Sequence, residues 1–367
     1  MKIAFFEAIF TEDQHPHHTI TKALHWHRIV NPAKYLQKTT NWEIEIFKNP
    51  FDKKTGFSNW DDICTHFDIG YFPYFPNYRL YTYLLLKTKK KGMKIVIDFD
   101  DDVWGLTPNH RLYPVIHLGS AIYHFYYQMA KTAPFLTTTN NLLKKKLSMI
   151  STCKRIEILP NYIDLDQYKS IQKHDSNHIS IIYFGTNNHK HDIISSPFKE
   201  ALVRIVQTYP NVLIKIVGMD RIPEFNRSLN QQYIIANGNF DYFKFLQIWQ
   251  DHIGTADISI APLERSNFSR SKSPLKFYES AAGYLPFVCS DILPYRGVVK
   301  HGVTGFLCKT EDDWYQALSK LIESKELRKK IGDNAYDYVK KNCTIQKNIW
   351  RYKEFFEKVY NTKILNN

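Results

Sequence analysis

The feature that most constrains the fold is a strand and helix alternation that runs through the first half of the chain and then starts again. Apolar runs suited to buried strands occur at 2–6, 43–47, 69–72, 94–98, 135–138 and 156–159, with helical periodicity at 19–37, 78–90, 121–131 and 141–149. A polar stretch at 170–177 precedes a second series, with strands at 179–185, 212–218, around Tyr233, at 256–263 and in LPFVCSD at 285–291. Such alternation favours parallel sheets covered on both faces, with ligands at the carboxyl ends of the strands. The expectation is an α/β chain of two Rossmann-like domains, 1–172 and 173–345, facing an interdomain cleft, followed by a helical region at 311–360.

At 367 residues the chain is long enough for two cores, and 44% hydrophobic with 15% aromatic residues excludes disorder. The five cysteines are scattered without a C-x-x-C pair, which predicts a reducing compartment and no structural zinc. The N-terminus MKIAFFEAIF lacks a signal-peptide pattern, and no apolar run reaches the ~20 residues that span a bilayer. A cytoplasmic protein able to rest on the inner face of the plasma membrane is expected. Lys and Arg number 49 against 36 acidic residues, a net of +13, which implies an anionic partner. The basic patches at 87–94 and 144–146 are either solvated helix ends or attractors of anionic headgroups or a lipid-linked diphosphate. No nucleic-acid motif accompanies the charge, so nucleic acid is not an expected partner.

The segment 271–291, SKSPLKFYESAAGYLPFVCSD, reads as a short helix that offers its N-terminus to an anion. Ser273 is a good N-cap and Pro274 a good first helical residue, leaving the amides of Leu275 and Lys276 free between Lys272 and Lys276. Glu279 lies deeper in the helix, where a carboxylate accepts hydrogen bonds from sugar hydroxyls. Gly283 and Pro286 end the helix before a buried strand. Diphosphate plus ribose is the ligand this pattern suggests.

The same segment resembles the donor-site signature of retaining glycosyltransferases with the GT-B fold, close to glycosyltransferase family four. The family's ribose-binding glutamate corresponds to Glu279, followed by Ala281, Ala282, Gly283 and Pro286; where the family has a second glutamate near the donor sugar, this chain has Ser271. FGTNNHKHD, with Gly185, Thr186, His189 and Asp192, resembles a turn in a subgroup that builds bacterial surface polysaccharides, as does the strand-end run IDFDDDVW. YRGVVKHGVTGFLCK, with Gly302 and Gly305, resembles the family's glycine turn after the donor helix. The resemblance implies donor binding in 173–345, acceptor binding in 1–172, and a last helix at 346–367 that packs back on the first domain through Trp350, Phe355, Phe356 and Val359. It also implies retaining transfer from a nucleotide diphosphate sugar to a saccharide or lipid-linked saccharide in capsule, O-antigen or lipopolysaccharide synthesis. No metal or other cofactor is required.

On this reading Lys272, with Arg270 second, stabilises the leaving diphosphate, and both share a loop with Arg265 and Asn267. Gly185, Thr186, His189, Asp192, Ser273, Leu275, Lys276 and Glu279 form the donor set, and His110 reaches the donor sugar. Arg28 and His27, in a stretch that also holds His15, His17, His18 and His25, are expected to line the acceptor pocket, with Arg28 on an acceptor phosphate. Zinc is the alternative for those histidines, although their spacing matches no standard site. Asp98 and Asp101 organise the acceptor side, with magnesium or manganese as the alternative. Base recognition is sought near 237–242. The absence of G-x-G-x-x-G, G-x-S-x-G, kinase and Walker patterns disfavours the main competing enzymes. Three rivals remain: a non-catalytic sugar-nucleotide binder, a sugar-nucleotide epimerase of similar fold and a basic nucleic-acid binder.

Overall fold

The computed structural model describes residues 1–7, 26–47, 58–153, 155–168, 176–194, 196–220, 231–234, 242–253 and 255–363. They form two six-stranded sheets, parallel throughout. In the first, β1 (Lys2–Phe6), β2 (Glu43–Phe47), β3 (Ile69–Pro73), β4 (Lys94–Phe99), β5 (Phe135–Thr138) and β6 (Ile156–Ile158) take the order β2-β1-β3-β4-β5-β6. In the second, β7 (Ile179–Phe184), β8 (Val212–Val217), β9 (Gln231–Ile234), β10 (Ile258–Ala261), β11 (Phe287–Ser290) and β12 (Phe306–Cys308) take the order β12-β11-β10-β7-β8-β9. The strand order reverses between β1 and β3 in one sheet and between β7 and β10 in the other. Loops leaving neighbouring strands there diverge to opposite faces and open a crevice at the carboxyl ends.

Covered faces explain the apolar strands: Ile3, Ala4, Phe5 and Phe6 are fully buried between one core of strand and early-helix side chains and another under the helices Tyr78–Lys91, Ala121–Thr132 and Asn141–Ile150. The long helix expected over 19–37 differs within its described part. Trp26–Val30 forms a π-helical turn and the α-helix proper is Asn31–Thr39, with Pro32 in its first turn. A proline there has no N–H to continue an earlier ladder, so the helix starts afresh.

The C-terminal region is three helices, Glu311–Glu323, Lys325–Asn342 and Ile345–Asn361. A capping box opens the first, with Thr310 and Asp313 bonding each other's backbone amides at 3.2 and 3.0 Å. The last helix buries Ile345, Ile349, Tyr352, Phe355, Phe356 and Val359 in the core that holds Ile3, Phe5 and Tyr71. Phe356 meets Phe5 and Tyr71 edge-on at 5.5 and 5.7 Å. Trp350, expected on that face, is 52% exposed, because it sits one residue past Ile349 and turns away from the apolar stripe. The chain passes between the two sheets twice, side by side: the Ile163 amide donates to the Cys343 carbonyl at 3.0 Å and the Ile345 amide to the Ile163 carbonyl at 2.9 Å. Among the described residues no helix is long and apolar enough to cross a membrane.

Candidate active site

The loops after β7 and β10 meet at the second sheet's crevice. Gly218 has a φ of +86°, and a Cβ there would lie 2.7 Å from the Gly185 carbonyl, so only glycine lets the two strand ends approach. Beyond Gly185 a tight turn, Asn187–His189, leads into the short helix Lys190–Ile194. His189 Nδ1 lies 2.8 Å from Asp192 Oδ2, and Asp192 Oδ1 accepts the Glu264 amide at 3.0 Å. Lys272 Nζ joins them from the other loop, 3.1 Å from His189 Nδ1, 3.9 Å from Asp192 Oδ2 and 4.8 Å above the Phe268 ring. Burial and the Lys272 charge push His189 down to about 3, so the ring is neutral. Burial opposes the Asp192 carboxylate, yet Lys272 and His189 hold it down to about 2. The result is a charged lysine clamped beside a carboxylate at the crevice floor.

The adjoining helix is Leu275–Ala282, one residue later than expected. Pro274, not Ser273, is its cap, because the Pro274 carbonyl takes the Phe277 and Tyr278 amides at 2.9 and 3.4 Å. Ser273 Oγ therefore caps nothing and is buried without a hydrogen-bond partner among the described residues. The Leu275 and Lys276 amides have no carbonyl partner among the described residues. Lys276 Nζ donates to the Phe184 carbonyl at the end of β7 and lies 5.1 Å over the Tyr183 ring. Burial lowers Lys276 to about 8, against the pull of Glu279. Burial raises Glu279 to about 7, against Lys276. The Glu279 carboxyl has no hydrogen bond among the described residues.

The expected acceptor residues divide. Arg28 and Asp98 are 2% and 1% exposed and bond only inward. Arg28 Nε reaches Asp98 Oδ2 at 2.8 Å and Nη2 reaches Oδ1 at 2.5 Å, while Nη1 turns to the Leu159 carbonyl and Asn161. Thr137 Oγ1 adds a third bond to Asp98 at 2.5 Å. This corrects the reading of Arg28 as a phosphate contact: its N–H groups are spent inside the first domain. His27 is buried too, with Nδ1 3.1 Å from the Tyr162 carbonyl, and burial lowers it to about 4. His15, His17, His18 and His25 lie outside the described residues, as does most of 237–242. Asp102 pairs with Lys146 at 2.5 Å, and among the described residues no group of three His, Cys, Asp or Glu is placed to hold a metal.

His110 lines a pocket that Lys272 also lines, and Asp101 lies near enough to feel the Lys272 charge. Burial raises the Asp101 carboxyl while Lys272, across the cleft, pulls the other way. Burial and Lys272 lower His110 to about 4, and its ring meets Phe268 edge-on at 4.7 Å. Arg270 is exposed and makes no ion pair among the described residues, whereas Lys272 is held beside His189 and Asp192. Ser271 is 1% exposed; its hydroxyl donates to the Asn267 carbonyl at 3.0 Å and its carbonyl accepts Asn140 Nδ2, from the first domain, at 2.6 Å. A narrow pocket lined by Thr107, His110, His191, Glu264, Phe268 and Lys272 spans the two domains beside it. Among the pocket residues that sequence reasoning did not single out is Glu264. Its signal was its place just beyond β10, at the carboxyl end where ligands bind.

Residues 167–338 match the Glycosyl transferases group 1 family. Over 73 residues the chain is 37% identical to an uncharacterized glycosyltransferase of Methanocaldococcus jannaschii, covering 18% of this chain and 19% of that protein. The match thus spans about a fifth of the relative's length. The whole fold is similar to that of Anabaena HepE, solved in complex with UDP, with a TM-score of 0.62 and 13% identity over 98% of this chain and 100% of that one. It is similar as well to sucrose-phosphate synthase from Thermosynechococcus elongatus (TM-score 0.62, 10% identity, 98% and 99% covered). A glycosyltransferase from Rickettsia africae gives a TM-score of 0.62 at 14% identity, with 99% of each chain covered. The architecture is the GT-B fold.

Proposed function

We propose that this chain is a glycosyltransferase that moves a sugar from a nucleoside diphosphate sugar, with UDP the first nucleotide to try, to a hydroxyl of a saccharide or lipid-linked saccharide. One observation carries the reading: Lys272 meets His189 and Asp192 beyond the end of β7, and the helix that follows it opens with Leu275 and Lys276 amides that have no carbonyl partner and a Ser273 hydroxyl that has no hydrogen-bond partner among the described residues. Cation, hydroxyl and amides suit a diphosphate, and Glu279, one turn further on, suits the ribose hydroxyls. The HepE structure with UDP supports starting from that nucleotide.

As the glycosidic bond breaks, negative charge grows on the terminal phosphate, and Lys272 stabilises it. Asp192 Oδ2, 3.9 Å from Lys272 Nζ, helps to aim that ammonium. The acceptor hydroxyl enters from the first domain past Asp101 and His110, its oxygen bonds to the anomeric carbon, and its proton passes to the leaving phosphate oxygen. That route keeps the anomeric configuration. We assign the pathway to bacterial surface-polysaccharide synthesis at the cytoplasmic face of the membrane, where the net charge of +13 favours anionic headgroups.

The test is thermal stabilisation by UDP, GDP, dTDP, CMP and ADP, on the wild type and on Glu279→Ala. A ligand at 100 times its Kd adds about 2.7 kcal/mol. Stabilisation by one diphosphate, lost in the variant, supports the donor site. No stabilisation by any nucleotide would sink it.

A further inference from the structure

We infer that Asn140 is a positioning residue: from the first domain it holds the peptide link ahead of Lys272, and so sets where the lysine's ammonium lies. The inference rests on the donor reading above, in which Lys272 meets the terminal phosphate.

Asn140 uses both ends of its side-chain amide. Oδ1 accepts the Leu143 amide at 2.9 Å and caps the helix Asn141–Ile150. Nδ2 donates across the domain boundary to the Ser271 carbonyl at 2.6 Å, and within its own domain it lies 3.0 Å from Thr139 Oγ1, whose hydroxyl donates to the Asp100 carbonyl at 3.1 Å. The side chain is thus fixed by the first domain while it reaches into the second. A helix cap needs only the oxygen, which Ser or Thr would supply as well. The amide group is what this residue adds, and it goes to Ser271.

The Ser271 carbonyl and the Lys272 amide belong to one planar peptide unit. The Lys272 amide donates to the Ser269 carbonyl at 3.3 Å, and among the described residues the Ser271 carbonyl accepts from Asn140 alone. The same segment meets the first domain at Phe268. A Cβ on Gly105 would lie 3.0 Å from the Phe268 backbone nitrogen, so the Val103–Gly105 turn comes this close because it ends in glycine, and His110 meets the Phe268 ring edge-on at 4.7 Å. Lys272 leaves this clasped segment with its Nζ 4.8 Å above Phe268 and 3.1 Å from His189 Nδ1. Without the Asn140 bond the peptide unit is free to rotate, and the lysine it carries loses the orientation that the two domains impose together.

The probes are UDP with UMP, GDP with GMP and ADP with AMP, titrated calorimetrically into the wild type, Asn140→Ser, Asn140→Thr, Lys272→Ala and the double variant Asn140→Ser with Lys272→Ala. Ser and Thr keep a capping oxygen, remove the amide donor and add no charge. In one pair the wild type should prefer the diphosphate by at least about tenfold, since hydrogen bonds to charged groups are the strong ones. Both Asn140 variants should cut that preference about three- to tenfold, the worth of one neutral hydrogen bond, while binding the monophosphate as the wild type does, which also reports that they fold. With Lys272→Ala in place, Asn140→Ser should cost nothing more, because the bond acts through the lysine. Asn140 variants whose preference stays within about twofold of wild type, that lose monophosphate and diphosphate equally, or whose cost is the same with and without Lys272 would overturn the assignment and leave the donor site standing. Wild type with no diphosphate preference in any pair would overturn the donor reading and this inference with it.

Discussion

Replacing Asp98 by Asn keeps the shape of the first domain's core and removes one charge, so it isolates what the buried ion pair does. Arg28 is 2% exposed, and its N–H groups go to both Asp98 oxygens, the Leu159 carbonyl, Asn161 and, at longer range, Tyr71 and Tyr352. Tyr352 belongs to the last helix, so the pair ties β4, the Trp26–Val30 turn, the end of β6 and that helix into one unit. With an amide at position 98 the guanidinium is left buried and uncompensated, and an NH2 donor faces N–H donors. Breaking a buried pair from one side costs about 3–5 kcal/mol. For a unit of 150–250 residues each kcal/mol moves Tm by about 2–4 °C, so Asp98→Asn should melt about 12 °C lower in scanning calorimetry. The double variant Arg28→Met with Asp98→Leu should recover part of that loss, because no charge is stranded. A Tm within about 3 °C of wild type for Asp98→Asn would refute the reasoning and return Arg28 to the list of ligand contacts.

Lys272→Ala should lower the transfer kcat by about 10²–10³-fold, the usual cost of removing a group that stabilises developing charge, and Lys272→Arg should lose less; a kcat within threefold of wild type removes Lys272 as the leaving-group cation. Phe356→Ala, at 0% exposure, should cost about 3–5 kcal/mol in urea denaturation, whereas Trp350→Ala, at 52% exposure, should stay within about 0.5 kcal/mol. Acid should destabilise the fold through His27, whose folded value of about 4 lies below its unfolded 6.5. The unfolded chain takes the proton first, so stability is complete above about pH 6.5 and falls towards pH 4 by up to about 1.4 kcal/mol per pH unit. His27→Asn should flatten that slope in pH-dependent melts, and an unchanged slope would remove His27 as the cause.

The parallel strands were legible because burial on both faces demands continuous apolar runs, and such runs stand out without any knowledge of partners. β1, β2 and β5 fall on the expected residues, and β10 is shorter than its apolar run because Pro262 has no N–H for the ladder. Cap chemistry was less legible: both Ser273 and Pro274 fit the start of a helix, and only the direction of the Pro274 carbonyl decides which one caps it. The cleft cation was legible as a loop of candidates, Arg265, Arg270 and Lys272, and the choice among them depended on which one His189 and Asp192 face.

What the sequence determined alone is therefore local: periodicity, buried runs, and a helix start with cations on either side, since each depends on neighbours a few positions away in the chain. The tertiary structure decided which charges are spent and which are available. Arg28 and Asp98 read as acceptor-side residues in the sequence, and a contact 70 residues apart pairs them with each other inside the core. Ser271 became a tether to Asn140, 131 residues away, and Glu264 joined His110 in lining one pocket only through the packing of distant segments. The value of a charge depends on the dielectric and the partners around it, and those are set by the packing of segments that the chain keeps far apart.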